Sequence, residues 1–171
     1  MTPRPTGRVL RTVDGYSLIV TRIFHAPIED VWASVTEPER TARWFGPWRG
    51  DAGPGKTIEV QWAFEEGQPW GEMRIELCEP PRRLKLVSGD EASGFSRLEL
   101  RLNQRGETTE LQLRHHLNEP GDATMYGSGW EYYMDMLVSA REGTPRPSWD
   151  EGYGDAMNGY FEAEAAKAAQ S

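Results

Sequence analysis

The sequence predicts an α+β fold, a curved antiparallel β-sheet wrapped around a long C-terminal α-helix, with two short helices after the first strand. Three observations carry this expectation. The stretch YSLIVTRIFH, residues 16–25, is dense in β-branched and aromatic residues and is followed at once by Pro27. Between residues 58 and 117, apolar and charged residues alternate with a period of two. Late in the chain, Trp130, Tyr133, Met134, Leu137 and Ala140 recur at spacings of three and four. Periods of 2 and 3.6 are the marks of a half-buried strand and of a helix with one apolar face.

Residues 1–15 hold Pro3, Pro5, Gly7 and Gly15 with little apolar content, so a flexible N-terminal arm is expected there. The folded domain is expected over 16–143, and 144–171 form a C-terminal extension with a short Ala-rich helix. Pro27 fits the first turn of a helix, and Ile28, Val31, Trp32 and Val35 follow at helical spacing, which predicts a helix over 27–35. Thr36 and Glu39 have the spacing of a capping box around Pro38, starting a second short helix that runs to about Trp44. Five hairpin-linked strands are then expected around Ile58–Phe64, Met73–Leu77, Leu84–Leu86, Leu98–Leu102 and Leu111–Leu117, separated by turns such as EPPRR and SGDEASG. Ser128 and Glu131 suggest the cap of the last helix, Gly143 its C-terminal cap, and Pro145 blocks continuation. A helix is only about 10 Å wide, so a sheet bent around one leaves space between them. An internal cavity is therefore expected.

Composition narrows the function. Nineteen Lys and Arg against 27 Asp and Glu give a net charge of -8, which disfavours nucleic acid and anionic membranes as partners. No apolar run has the length of a membrane span, and MTPRPTGRVL lacks the apolar block of a secretory signal, so a cytoplasmic location is expected. Cys78 is the single cysteine, which excludes an internal disulfide and any multi-cysteine metal site. His115 and His116 are adjacent on a predicted strand and face opposite ways, which argues against one metal ion between them. No phosphate loop or nucleophile elbow is present, and no cofactor is expected.

The order Ala26-Pro27, Val31-Trp32, Glu37-Pro38, Trp44-Phe45, Glu79-Pro80-Pro81, TELQLRHHL and SGWEYYMDML, over residues 16–142, resembles the START-like (SRPBCC, Bet v 1-like) superfamily. The branch it resembles is the activator of Hsp90 ATPase homologue 1-like proteins. That resemblance implies a helix-grip fold enclosing a hydrophobic pocket and the binding of an apolar or amphipathic small molecule. It also implies two alternatives: a polyketide cyclase or aromatase-like enzyme, and a chaperone-regulating or protein-interaction module. The branch has no shared catalytic motif to carry over, so an enzyme is the less favoured reading.

The candidate ligand-binding residues are Trp44, Phe45, Trp62, Phe64, Met73, His115, Trp130, Tyr133, Met134 and Leu137. Trp44 and Phe45, on the turn RWFGPW, either plug the end of the core or form the rim of a pocket mouth, and Trp48 covers that mouth from a loop. Alternation from Leu111 and Leu113 turns His115 inward, as the leading polar contact for a ligand, with His25 a second or merely exposed. Tyr133, Met134 and Leu137 belong to the helical stripe with Trp130. Glu131 and Asp135 flank it and are expected to be capping and surface groups. The tail helix is too short to stand alone in water. Two alternatives stay open for it: packing on its own domain, through Trp149 and Tyr153, or on a second subunit in a homodimer.

Overall fold

The computed structural model describes residues 4–92, 94–149 and 152–171. Residues 1–3 of the expected arm, Ser93 of the expected SGDEASG turn and residues 150–151 of the expected extension lie outside them. The strands are β1 (Arg8–Thr12), β2 (Gly15–Phe24), β3 (Trp48–Arg49), β4 (Thr57–Gln61), β5 (Trp70–Glu79), β6 (Arg83–Asp90), β7 (Gly94–Arg105) and β8 (Thr108–Leu117). The helices are α1 (Ile28–Thr36), α2 (Pro38–Thr41), α3 (Ala123–Glu142) and α4 (Asn158–Ala169), with a 3-10 turn at Pro120–Asp122. The strands form one sheet in the order β1-β2-β8-β7-β6-β5-β4-β3. The chain divides into two compact units, one of Met1–Thr21 with Leu113–Ser171, the other of Arg22–Gln112. Among the described residues no helix is long and apolar enough to cross a membrane.

In the Arg22–Gln112 unit, Pro27 occupies the N-cap of α1 in an extended conformation, and Ile28, Val31 and Val35 are buried on one side of the helix. The Ile28 amide donates to Gln104 Oε1 at 3.0 Å, and the buried Thr109 hydroxyl donates to the Ala26 carbonyl at 2.8 Å, so β7 and β8 anchor the entry into α1. The expected cap at Thr36 is not formed. Its hydroxyl donates to the Trp32 carbonyl one turn back, and Glu37 takes the N-cap of α2. That helix is a single turn ending at Thr41, whose carbonyl then receives the amides of Trp44, Phe45 and Gly46. Strand β4 also ends earlier than expected, at Gln61. Trp62 and Phe64 sit in the connecting turn, where the Glu65 amide donates to the Trp62 carbonyl. In β5 the alternation holds: Met73 and Ile75 are buried while Glu72 and Arg74 are exposed.

In the other unit, the expected arm gives way to structure from Arg8 onward. Strand β1 pairs with β2 in register Arg8↔Ile19 to Thr12↔Gly15. Only Val9 of its five residues is buried, so it carries no alternation strong enough to mark it as a strand. Helix α3 begins at Ala123, five residues before the expected cap, with no side-chain cap at its N-terminus, and the capping box of Glu119 and Asp122 belongs to the 3-10 turn before it. Gly143 adopts the left-handed conformation, φ 69°, and its amide donates to the Ser139 carbonyl, closing the helix as expected. Helix α4 packs on α3, on β1 and on the 3-10 turn of its own chain. Gly127 makes that packing possible, since a Cβ there would lie 2.6 Å from the Phe161 ring. Trp149 stacks on Tyr153 at 5.8 Å and 27°, and Tyr153 donates to Asp135 Oδ2 at 2.5 Å.

Glu131 overturns its expected surface role. It is fully buried in α3, and its carboxylate accepts from the Thr6 amide, from the Thr6 hydroxyl at 2.7 Å and from the Gly7 amide at 3.3 Å. A buried carboxylate is tolerated only when such donors replace its lost hydration. The segment before β1 is held from a second side by Tyr160, whose hydroxyl donates to the Gly7 carbonyl at 2.8 Å. Glu131→Ala leaves these amides without their acceptor and should lower the unfolding free energy by about 3 kcal/mol. Urea denaturation measures this; a loss within about 0.5 kcal/mol, the range of an ordinary surface change, would show that the carboxylate does not hold the segment.

Candidate ligand-binding residues in two aromatic clusters

The first cluster belongs to the Arg22–Gln112 unit. Trp44 and Phe45 are both buried, with ring centroids 5.7 Å apart, and Phe45 meets Trp62 at 5.9 Å and 55°. The Trp44 indole N–H is satisfied by the Ser34 carbonyl at 2.9 Å. The turn is sewn to the end of β4, with the Ala63 amide donating to the Phe45 carbonyl and the Gln61 amide to the Pro47 carbonyl. Gly46 is required by that approach, because a Cβ there would fall 1.6 Å from the Gln61 carbonyl oxygen. Trp62 lies over Gly71 in the same way, where a Cβ would meet its ring at 2.5 Å. Trp48 is not on a free loop. It pairs with Val60 in β3, and its indole donates to the Thr36 carbonyl at 2.7 Å. Met73 is buried in β5, opposite Ile58 of β4 and Ser88 of β6, and Phe64 is half-buried in the turn.

The second cluster belongs to the other unit and is built around His115. Its position in β8 alternates with buried Leu113 and Leu117, which turns its side chain to the buried face. The residue is 4% exposed. The Trp130 indole N–H donates to His115 Nδ1 at 3.0 Å. An indole nitrogen only donates, so Nδ1 is the acceptor and the imidazole proton sits on Nε2. The rings of Tyr126 and Trp130 stand 4.5 Å and 6.1 Å from the imidazole, and Trp130 in turn meets Tyr133 at 5.9 Å. Burial, helped by His116 and opposed by Asp122, pushes the His115 pKa down to about 4, so the ring is neutral over the physiological range. Met134 and Leu137 are buried one turn further along α3. His25 is exposed and joins neither cluster.

The structure thus brings Trp44, Phe45 and Trp62 together in one unit and His115, Trp130 and Tyr133 in the other. Tyr126, the aromatic ring nearest to His115, was not among the expected residues. Its signal was present: it stands four residues before Trp130, the spacing of side chains on one helix face.

Comparison with known proteins adds the family. The model of the family described as Activator of Hsp90 ATPase homolog 1-like protein matches residues 25–142, most of the chain. The chain belongs to this family. CalU16 from Micromonospora echinospora is 28% identical over 98% of each chain, with a TM-score of 0.72. The protein encoded by gene BPP1335 from Bordetella parapertussis, at 23% identity, covers 95% of this chain and 94% of its own, with a TM-score of 0.71. DynU16, a protein of the dynemicin biosynthetic locus, is 22% identical over 75% of this chain and 48% of its own, with a TM-score of 0.64. No protein of curated function matches the chain. The fold of this family member is helix-grip-like, as the START-like resemblance implied.

The neutral state of His115 has a measurable consequence. In the unfolded chain a histidine takes up its proton near pH 6.5, in the folded protein His115 does so only near pH 4. Between these values the unfolded state binds more protons, so stability falls as the pH falls through that window. The His115 contribution to this loss is about 3 kcal/mol by pH 4. The unfolding free energy of the wild type, minus that of His115→Gln, should decrease by that order between pH 7 and pH 4 in urea titrations. A difference that stays constant with pH would mean the imidazole is not buried in its neutral form.

Proposed function

We propose that this protein binds a hydrophobic or amphipathic small molecule, with His115 as its polar contact. The observation that carries the proposal is the neutral imidazole held between Trp130 and Tyr126. Its Nδ1 accepts from the indole, which leaves Nε2–H as the donor of the neutral ring. A donor in low-dielectric surroundings gains more from an acceptor than it would in water, and it penalises a ligand that offers none. The ligand that suits it presents a carbonyl or ether oxygen to Nε2 and an apolar surface to the rings of Tyr126, Trp130 and Tyr133. Membership of a START-like family, in which apolar small molecules are the usual guests, supports the same reading.

A cyclase-like role asks something else of the residue. A general base works best with a pKa near the working pH, and at about 4 His115 takes protons poorly near neutrality. The geometry favours a fixed hydrogen-bond donor.

A panel of apolar ketones and their hydrocarbon analogues, followed by native mass spectrometry and by quenching of tryptophan fluorescence, tests the proposal. A retained ketone should bind the His115→Phe variant at least about tenfold more weakly, the equivalent of one lost hydrogen bond in a buried site. Its hydrocarbon analogue should be little affected. Equal binding of the ketone by both proteins, or no binding of any compound by the wild type, would overturn it.

A further inference from the structure

The exposed face of strands β4–β7, wholly within the Arg22–Gln112 unit, carries a groove of about 310 Å3. The strand register explains it. Thr57, Arg74, Val87 and Arg97 are successive cross-strand partners and form one row, and Gly89 pairs with Phe95 in the next. Val87 is an apolar residue on the charged alternation of the sheet. It is only 6% exposed and makes the floor of the groove. Phe95 is 55% exposed and lines it, and Gly89 contributes no side chain to fill it. A large ring left in water beside an apolar floor is an unused contact surface.

The charged groups beside this floor are not equally paired. Arg74 and Arg97 both reach the same carboxylate oxygen, Glu76 Oε1, at 2.9 Å and 3.7 Å. With Glu72 in the lining, two carboxylates stand beside two guanidinium groups and the formal charges balance, but Arg74 is the one held by Glu76 at hydrogen-bond length and Arg97 is the less engaged cation. The Arg97 contact is an ion pair beyond hydrogen-bond length, so its planar fork of donors is available to a second carboxylate. Glu72, two residues from Arg74 on the same strand face, also lines the groove and repels a second negative charge.

We propose that this groove is a second ligand site, for an aromatic monocarboxylate whose carboxylate lies on Arg97 and Arg74 and whose ring lies on Phe95 and Val87. The site is independent of His115. A dianion is disfavoured by Glu72, and a neutral ring forgoes the charge-assisted hydrogen bonds to the arginines.

Titration of the full 15N-labelled chain with 2-naphthoate, 2-naphthamide and inorganic phosphate tests this by nuclear magnetic resonance. Naphthoate should shift the amide resonances of Thr57, Arg74, Val87 and Arg97 in a saturable way. The amide and phosphate should bind at least about tenfold more weakly, as expected when a charge-assisted hydrogen bond is missing. Arg97→Ala, on the exposed face, should weaken naphthoate by about the same factor with circular dichroism unchanged. Glu76→Gln should tighten it severalfold, because the competing carboxylate is gone. Equal shifts from naphthamide, tighter binding of phosphate, shifts confined to residues around His115, or an Arg97→Ala variant that binds as well as the wild type would overturn the assignment.

Discussion

The hydrogen bond from the Trp130 indole to His115 Nδ1 is the interaction on which the functional reading depends. It joins α3 to β8 and selects the tautomer of a buried imidazole. It works because the two partners are chemically asymmetric: an indole N–H has no lone pair to offer, so the imidazole must accept. Burial then keeps the ring neutral, and neutrality keeps Nδ1 an acceptor. A protonated His115 would carry a hydrogen on Nδ1, facing the indole hydrogen, and the contact would turn repulsive. The result is a single N–H donor on Nε2 within a sleeve of aromatic rings.

The same rule, that a buried polar atom must meet a defined partner, organises both units. The Glu131 carboxylate gathers the Thr6 and Gly7 donors, Thr109 satisfies the Ala26 carbonyl, and Trp44 satisfies Ser34. Among the described residues no buried side-chain nitrogen or oxygen lacks a partner. Close approach is obtained by omitting side chains. Gly46 lets the aromatic turn touch β4, and Gly127 lets Phe161 of α4 reach the backbone of α3. These contacts are specific because each leaves room for one arrangement only.

Much of this was legible in the sequence, for a physical reason. Strands β4 to β8 and the body of α3 each bury one face, so their apolar residues repeat with the period of the element. Elements without such a face were missed. Strand β1 buries only Val9, and β3 is two residues long. The start of α3 was misplaced because Gly127 and Gly129 are poor helix formers and because Ser128 and Glu131 mimic a capping box. A capping box is local, whereas Glu131 bonds to Thr6, 125 residues away, and no window along the chain contains both. Tyr126 was lost with that boundary, since its place beside His115 follows only once it is known to be helical. The inward turn of His115 was legible from alternation, but its indole partner was not, because the spacing between β8 and α3 depends on packing.

The most direct measurement is the pair of 15N shifts of the His115 ring at pH 7 in selectively labelled protein. The account requires a neutral ring protonated at Nε2, with the Nε2 signal alone moving when an oxygen-bearing apolar ligand is added. A ring protonated at Nδ1, or an imidazolium with both nitrogens protonated, would contradict it.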